Sequence, residues 1–486
     1  MTSAHTILHF YESILFQSRQ NPRATAVAFS DVRISYAAFV FHIDNVTRRL
    51  QQENLASGTR VLVDVSHQYL HWVIVIAASR LGLVTASTDP GSDRAALLEL
   101  LGTRTVITDH DRAPAGSTAL VAGPGWLEAA ADAAPVVVSS YVAAESHARI
   151  TFSSGTTGVP KKIALSHAVC ERRLTLHAFD LGPSSRFLSA VGSSTIGGFM
   201  YPIRVWSLGG AVVFQVAGEK LSDLIVGARL THLFMSPVQL SELLNELPDD
   251  FVPVPGLTVV AGGGAIAQEL NQRARLRLTP MLFQMYGSTE AGTVAFAHAA
   301  FADGKPTLTG YLVPSVEAEV IGPDGQPVAP GIPGELRLRS PWCVAGYADG
   351  EASETFRDGW FYPGDIAVVS PSRLLSIVGR ASELMNLGGQ KIAPMRIEEA
   401  LTPHPGVSDI AAFSLPDAQG IERPWVAVVA MAGFDQQSLV ARLRERFPSL
   451  PPLNVATAPA IPRNTMGKVL RQELRQRVAA ALARAQ

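Results

Sequence analysis

Short apolar runs of strand length alternate, over the first part of the chain, with longer segments whose apolar positions recur at helical spacing. RVLVDV (60–65), LVTAST (83–88) and RTVITD (104–109) are separated by HWVIVIAASRL (71–81) and RAALLELL (94–101). The pattern returns with AVVFQ, LSDLIVGARL, THLFMS, VQLSELLNEL, LTVVAGGG and PMLFQMYG between 211 and 287. Such alternation predicts an α/β fold of mainly parallel sheets with helices on both faces, where ligands sit beyond the carboxyl ends of the strands. From about Gly310 the texture turns β-rich: Asp324-Gly325 is a hairpin signal and GELRLRS (334–340) an alternating strand. Beyond Gly379 a smaller α+β unit is predicted, with AVVAMAG as a strand and QQSLVARLRERF as a helix. The closing segment RQELRQRVAAALARA reads as a basic amphipathic helix on a solvated surface.

Composition changes this picture little. At 486 residues the chain exceeds the usual size of one core, so two or more domains are expected. The formal net charge of -2 gives no electrostatic case for nucleic acid or an acidic membrane. Cys170 and Cys343 lie far apart without metal-ligand spacing and read as buried thiols of a reducing compartment. The start MTSAHTILHFYES has neither a basic flank nor a sustained apolar core, and no segment reaches the roughly 20 apolar residues of a membrane span. A cytoplasmic location is the default expectation.

Candidate chemistry begins at TFSSGTTGVPKK, Thr151 to Lys162. Glycines that bring backbone N–H groups close to an anion, hydroxyl donors and a lysine are the parts of a polyphosphate-binding loop. Thr151, Ser153, Ser154, Gly155, Thr156, Thr157 and Lys161 are its candidate contacts. Pro160 stands where a Walker-type loop counted from Gly155 would need its second glycine. A flexible linker is the alternative, but the flanking ARITF and KKIAL read as strands, which a linker would not need.

Four further segments follow in order: MYGSTEAG (285–292), GWFYPGD (359–365), GRASELMNLGGQKIAP (379–394) and PRNTMGK (462–468). With the Ser/Thr/Gly loop they resemble the ordered motifs of the adenylate-forming superfamily, which includes acyl-CoA synthetases, aryl-acid adenylating enzymes, luciferases and the adenylation domains of peptide synthetases. The resemblance spans essentially the whole chain. It implies a large N-terminal domain of parallel sheets with helices plus a β-rich subdomain, residues 1–380, and a small mobile α+β domain, residues 383–486, that carries a catalytic lysine.

It also implies a two-step reaction. A carboxylate attacks the α-phosphorus of ATP and expels pyrophosphate; a thiol then displaces AMP. Such chemistry needs positioning and charge neutralisation more than a covalent catalyst. By this resemblance Glu290 holds Mg2+, Thr289 contacts the α-phosphate, and Tyr286 lies along the adenine. Gly287, Ser288, Gly263 and Gly264 border the nucleotide, Asp365 and Arg380 meet the ribose, and Lys468 reaches in from the small domain. Domain alternation would pivot at Ser382, where relatives commonly carry Asp or Lys. Lys162, Pro363 and Arg396 also depart from the common pattern, and none removes a catalytic group.

The acid is expected in a pocket drawn from Ser194, Thr195, Gly197, Phe199, Gly262 and Met285. Aligned on Leu208-Gly209-Gly210, Gly197 falls where amino-acid-activating domains hold an aspartate, so an α-amino acid is disfavoured. Thr195 stands near the gating histidine of many acyl-CoA synthetases. Gly262, Gly263 and Gly264 are expected to leave one wall bare, and Met285 to raise the floor with a flexible thioether unless it only packs the core. An aromatic or short to medium acid is the expectation. The Gly388-Gly389 segment resembles the pantetheine tunnel of CoA ligases, and stand-alone enzymes that load a carrier protein have a similar stretch. CoA, or a phosphopantetheine arm on a carrier in trans, is the expected acceptor. A luciferase-like oxygenase and a catalytically silent binding relative stand outside this class; nothing local speaks for the first, and Glu290, Asp365 and Lys468 argue against the second.

Overall fold

The computed structural model describes residues 5–485 except 112, 129–135, 137, 154–160, 176–179, 306, 349–353, 388–389, 403, 418 and 464–468. Two large sheets organise the chain up to Arg380. The six-stranded sheet runs Lys161–Ser166, His147–Ser153, Val84–Ser87, Arg60–Asp64, Thr105–Thr108, Thr118–Val121, and only its first pair is antiparallel. In the 15-stranded sheet, Thr25–Phe29, Ala211–Val213, Arg186–Ser189, His232–Met235, Thr258–Gly262 and Leu282–Ser288 are successive parallel neighbours. From Gly292–His298 onward that sheet becomes antiparallel. The expected hairpin pairs Glu317–Ile321 with Gly334–Arg339, and Gly325 takes φ +77° at its turn.

The largest core fills the space between the two sheets. Val61 and Val63 from one, and Val27, Phe187, Val212, Phe234 and Val260 from the other, meet across helices Tyr36–Gln52, Gln68–Arg80 and Ile196–Ser207. Helix Gln68–Arg80 is buried from Tyr69 through Ser79, which is why its sequence is apolar all round. Separate apolar clusters seal the outer faces of both sheets with helices such as Arg94–Leu101 and Pro237–Glu246. Two polar side chains of this core reach across it: the Trp206 indole N–H donates to the Ala26 carbonyl at 2.8 Å and the Tyr36 hydroxyl to that of Gly210 at 2.7 Å.

After Arg380 the chain builds a smaller α+β unit. The antiparallel strands Val407–Pro416 and Glu422–Ala430, with Asn454–Thr457 parallel to the second, form a three-stranded sheet. One face packs on helices Pro394–Leu401 and Gln436–Arg446, the other on Arg471–Ala485. The apolar clusters of this unit begin at Met385, and those of the preceding unit end at Leu375. No helix among the described residues is long and apolar enough to cross a membrane. Cys170 is buried as expected; Cys343 is only half-buried, and burial pushes the two thiols up to about 12 and about 11.

Burial also holds several imidazoles neutral. His71 is lowered to about 3 by desolvation and then by the Arg149 charge, and His167 to about 4 by desolvation; His9 and His232 move the same way. In the unfolded chain these rings take up protons near 6.5. Stability present above that value is therefore lost as pH falls toward the folded values. Melting temperature, followed by circular dichroism, is expected to drop from pH 7 to about pH 5, and His71→Asn to shallow the drop; a flat profile in the native chain would contradict this.

Candidate active site

The strand Leu282–Ser288 carries the site, because alternate residues of a strand face opposite ways. Met285 pairs in register with Gly262 on the neighbouring parallel strand. Tyr286 points to the other side and donates its hydroxyl to Asp365 Oδ2 at 2.5 Å. The strand ends in a tight reversal at Ser288–Gly292. A Cβ on Gly287 would lie 2.2 Å from the Gly292 carbonyl oxygen, and Gly292 has φ +65°, so both positions need glycine. The Ser288 hydroxyl accepts from the Ala291 N–H at 3.1 Å.

Asp365 opens the strand Asp365–Val369 and pairs across it with Arg380, whose Nε lies 3.2 Å from Oδ1. The Asp365 side chain is 5% exposed, so both partners reach a desolvated carboxyl group. Burial, and then the Asp365 charge, hold the Tyr286 phenol well above its ordinary 10.0, which keeps it a donor. Asp365 thus contacts both of the other residues that the resemblance assigns to adenosine. Glu290 follows four residues after Tyr286, in the turn that closes the same strand.

Glu290 is buried at 8% exposure, and its backbone is clamped from behind. The buried guanidinium of Arg173 donates to the carbonyls of Thr289 (2.9 Å), Glu290 (3.0 Å) and Trp342 (3.1 Å). In front, the Tyr347 hydroxyl donates to Glu290 Oε1 at 3.3 Å and accepts from Lys161 Nζ at 3.4 Å; that nitrogen also lies 4.6 Å from the Tyr347 ring centre. Lys161 pairs with Ser153 across an antiparallel ladder, so the two ends of the Ser/Thr/Gly loop are held together. Ser154, Gly155, Thr156 and Thr157 lie outside the described residues, as do Gly388, Gly389 and Lys468. Thr151, at the base of the loop, is buried, and its hydroxyl has no partner among the described residues.

Magnesium fits this donor set as a shared ion. Among the described residues no group of three or more His, Cys, Asp or Glu could hold a metal alone. Glu290 offers hard carboxylate oxygen, and such an ion takes its remaining ligands from phosphate and water.

On the acid side the structure revises several expectations. The Thr195 hydroxyl caps helix Ile196–Ser207, accepting from the Gly198 N–H at 3.0 Å and donating to the Gly192 carbonyl at 2.8 Å; it is committed to structure at the place expected for a gate. Ser194 donates to Asp89. Phe199 faces away from Gly197, two residues back on the helix, and packs near Trp72, with Arg149 4.7 Å from its ring centre. Gly262 is not bare: Met285 Cε and Phe234 Cε2 would lie 3.0 and 3.2 Å from a Cβ there. Gly264 does face open space apart from Pro237 at 3.6 Å, and Gly263 turns with φ +87°. Met285 is not loose, since Tyr201 and Thr293 hydroxyls donate to its sulfur at 3.1 and 3.3 Å.

Arg149, Arg173, Tyr347 and Phe234 escaped sequence reasoning. Arg149 is fully buried in the strand ARITF, donates to Thr85, Ser87 and the Ser193 carbonyl, and is pulled down to about 9 by burial. Its signal was available as a charge inside an apolar run. Tyr347 and Phe234 gave no such signal.

At the junction of the two units Ser382 is exposed in a 3-10 turn, Ala381–Glu383. The Ala381 N–H donates to the Gly364 carbonyl at 2.9 Å on one side. On the other, buried Arg471 bonds Glu383 Oε2 at 3.0 Å, Glu398 Oε1 at 2.6 Å and the Ala412 carbonyl at 3.2 Å.

Family models for AMP-binding enzymes match residues 16–348, and for the AMP-binding enzyme C-terminal domain residues 396–468. The chain is 25% identical to the fatty acid–[acyl-carrier-protein] ligase ScoC of Streptomyces coeruleorubidus, over 95% of both proteins. It is 26% identical to feruloyl-CoA synthase of an Amycolatopsis species, over 95% of this chain and 97% of the relative. Its fold superposes on o-succinylbenzoate CoA synthetase (MenE) of Bacillus subtilis, solved with an acyl-adenylate, with TM-score 0.86 over 97% of this chain and 98% of the other at 21% identity.

The Lys161–Tyr347–Glu290 chain generates a prediction. Tyr347→Phe keeps the ring under Lys161 but removes the hydroxyl between the two charges. Affinity for magnesium-ATP, measured by calorimetry, is expected to fall roughly fivefold, the worth of about 1 kcal/mol for one hydrogen bond, with little change in melting temperature. Native affinity in this variant would show the hydroxyl to be idle.

Proposed function

The chain belongs to the AMP-binding enzyme family, and on that premise we propose that this AMP-forming acid–thiol ligase activates an aromatic or short to medium carboxylic acid and transfers it to the thiol of CoA. The observation that carries the reading is a pair of buried carboxylates served by one strand and its closing turn: Asp365, which accepts from Tyr286, and Glu290, which Lys161 reaches through Tyr347. One end of this arrangement suits ribose hydroxyls and the other suits phosphate with its divalent ion.

In the first half-reaction a carboxylate oxygen of the acid bonds to the α-phosphorus of ATP while the bond to the pyrophosphate oxygen breaks. Magnesium, when bound, offsets phosphate charge. Asp365 accepts from the ribose, Arg380 orients that carboxylate, and Tyr286 lines the base. Thr289 donates to the α-phosphate from a turn that Arg173 holds rigid. The Ser153–Thr157 loop and Lys161 draw the outgoing pyrophosphate. In the second half-reaction the thiol sulfur bonds to the acyl carbon, the thiol proton passes to solvent, and the acyl–phosphate oxygen bond breaks to release AMP. The proposal divides the chain into residues 1–380 and 383–486 about Ser382, with Lys468 present for the first step and withdrawn for the second, and Gly388 and Gly389 beside the thiol arm.

CoA as acceptor is supported by similarity to feruloyl-CoA synthase and by the LGGQKIAP segment. Similarity to an acyl-carrier-protein ligase favours a second reading, transfer to a carrier in trans. Turnover with free CoA and with a phosphopantetheinylated carrier decides between them; a strict need for the carrier moves the assignment to the second.

Acid-dependent ATP–pyrophosphate exchange without thiol is the direct test of the first step. Glu290→Ala is expected to lower it by about 100-fold or more, the scale of losing a preorganised charge partner. Exchange at the native rate would sink the assignment of Glu290. Lys468→Ala is expected to cripple exchange and largely spare thioester formation from supplied acyl-adenylate. Equal losses in both half-reactions would count against domain alternation.

A further inference from the structure

The ladder beside Asp365 slips on its way past that residue. The strand Gly334–Arg339 pairs first with the hairpin that precedes the carboxylate, Leu338 opposite Phe361, and then with the strand that follows it, Glu335 opposite Ile366. Between these two pairs, Leu336 and Arg337 on one side face four residues on the other, Tyr362, Pro363, Gly364 and Asp365. The surplus makes a bulge, and a bulge re-aims the side chains it carries. Gly364 turns within it at φ +76°. Whatever fixes the bulge therefore fixes where Asp365 points.

Arg337 reaches the bulge from the short side. Its Nη1 donates to the hydroxyl of Tyr362, the first bulged residue, at 3.2 Å, and its Nε donates at 2.9 Å to Oε2 of Glu319, the residue opposite it on the next strand. The same guanidinium lies 4.6 Å from the Trp360 ring centre. Arg357 covers the Tyr362 ring at 3.8 Å, and the Tyr362 N–H donates to the Thr355 carbonyl at 2.7 Å. Tyr362 is thus held by ring, hydroxyl and backbone, three residues before Asp365. Arg339 supplies the contrast: it lies 4.5 Å from the same Trp360 ring and bonds Glu317 Oε2 at 2.8 Å, yet makes no bond to Tyr362 among the described residues. Ion pairs on a sheet surface contribute little to stability, so the grip on Tyr362 is what sets Arg337 apart.

We propose that Arg337 is a positioning residue for the nucleotide, acting through Tyr362 to fix the bulge that aims Asp365 at the ribose hydroxyls. The inference rests on the reading of Asp365 as the ribose acceptor. Tyr286 and Arg380 hold the carboxylate by its two oxygens; Arg337 fixes the backbone from which that carboxylate extends. Lysine is a poor substitute, because one ammonium lacks the planar fork with which the guanidinium bonds Glu319 and Tyr362 together.

The test is calorimetric binding of magnesium-ATP and of magnesium-2′-deoxyATP to the full chain, a ratio that loss of stability alone would not move. The native enzyme is expected to prefer ATP by about tenfold or more, the worth of one hydrogen bond to a desolvated carboxylate. Arg337→Met and Arg337→Lys are expected to shrink that preference by about threefold or more, with melting temperature near native. Tyr362→Phe deletes the hydroxyl alone; it is expected to act in the same direction and keeps the readout should Arg337→Met fold poorly. Arg339→Met removes a neighbouring ion pair and a contact with the same tryptophan, and is expected to retain the native preference. A preference unchanged in folded Arg337→Met and Tyr362→Phe overturns the inference while the ribose reading stands, and an equal loss in Arg339→Met does the same by making the whole ladder responsible. Native enzyme that binds the two nucleotides equally, or binds neither, overturns the ribose reading and the inference with it.

Discussion

A strand has two faces, and that constraint divides the labour of this molecule. Leu282–Ser288 lies at the boundary where the second sheet changes from parallel to antiparallel pairing. Its side toward the helical layer belongs to Met285, packed against Gly262 and Tyr201; its other side belongs to Tyr286, Asp365 and Arg380. Period-two alternation thus sets the proposed acid and nucleotide on opposite sides of a single residue-to-residue step. A slip of one residue in its register would exchange the two environments, and flanking ladders on both sides forbid that slip.

What alternation separates, buried charge holds in place. Arg173 gathers three carbonyls from two distant segments, and its position behind the Thr289–Glu290 turn removes freedom from the groups assigned to phosphate and ion. Rigid support of this kind is the main resource of an enzyme that stabilises developing charge without a covalent catalyst. The desolvated Asp365 with its tyrosine and arginine follows the same rule at the other end of the site.

Much of this was legible before any coordinates. Hydrophobic period gave the alternating strands and helices, the β-rich texture after Gly310 and the smaller closing unit, because each of those features is local. The ordered motifs point to Tyr286, Glu290, Asp365 and Arg380, and the structure joins Tyr286 and Arg380 to Asp365. Pocket shape was not legible to the same degree. Phe234 reads as one more apolar strand residue, and only a tertiary contact distinguishes it from the rest of the core. Phe199 was assigned to the pocket by its place in a segment, yet helical phase turns it toward Trp72 and Arg149. Thr195 stands in the sequence near the gating histidine of many acyl-CoA synthetases and is a helix cap in the structure, a role that a hydroxyl before IGGF announces.

The bracing around Ser382 has a mechanical consequence. Ala381 is tied by its backbone to Gly364 in the larger unit, and Glu383 by its side chain to Arg471 in the smaller. Only one residue between those two anchors is left unclamped by either. If the smaller unit turns about Ser382 as proposed, so short a joint would act as a ball-and-socket and not as a tether, changing the angle between two bodies while keeping their separation nearly constant. Whatever reorientation the smaller unit undergoes would therefore sweep its residues along arcs about a fixed centre, and a group far from that centre would travel much farther than Glu383 itself.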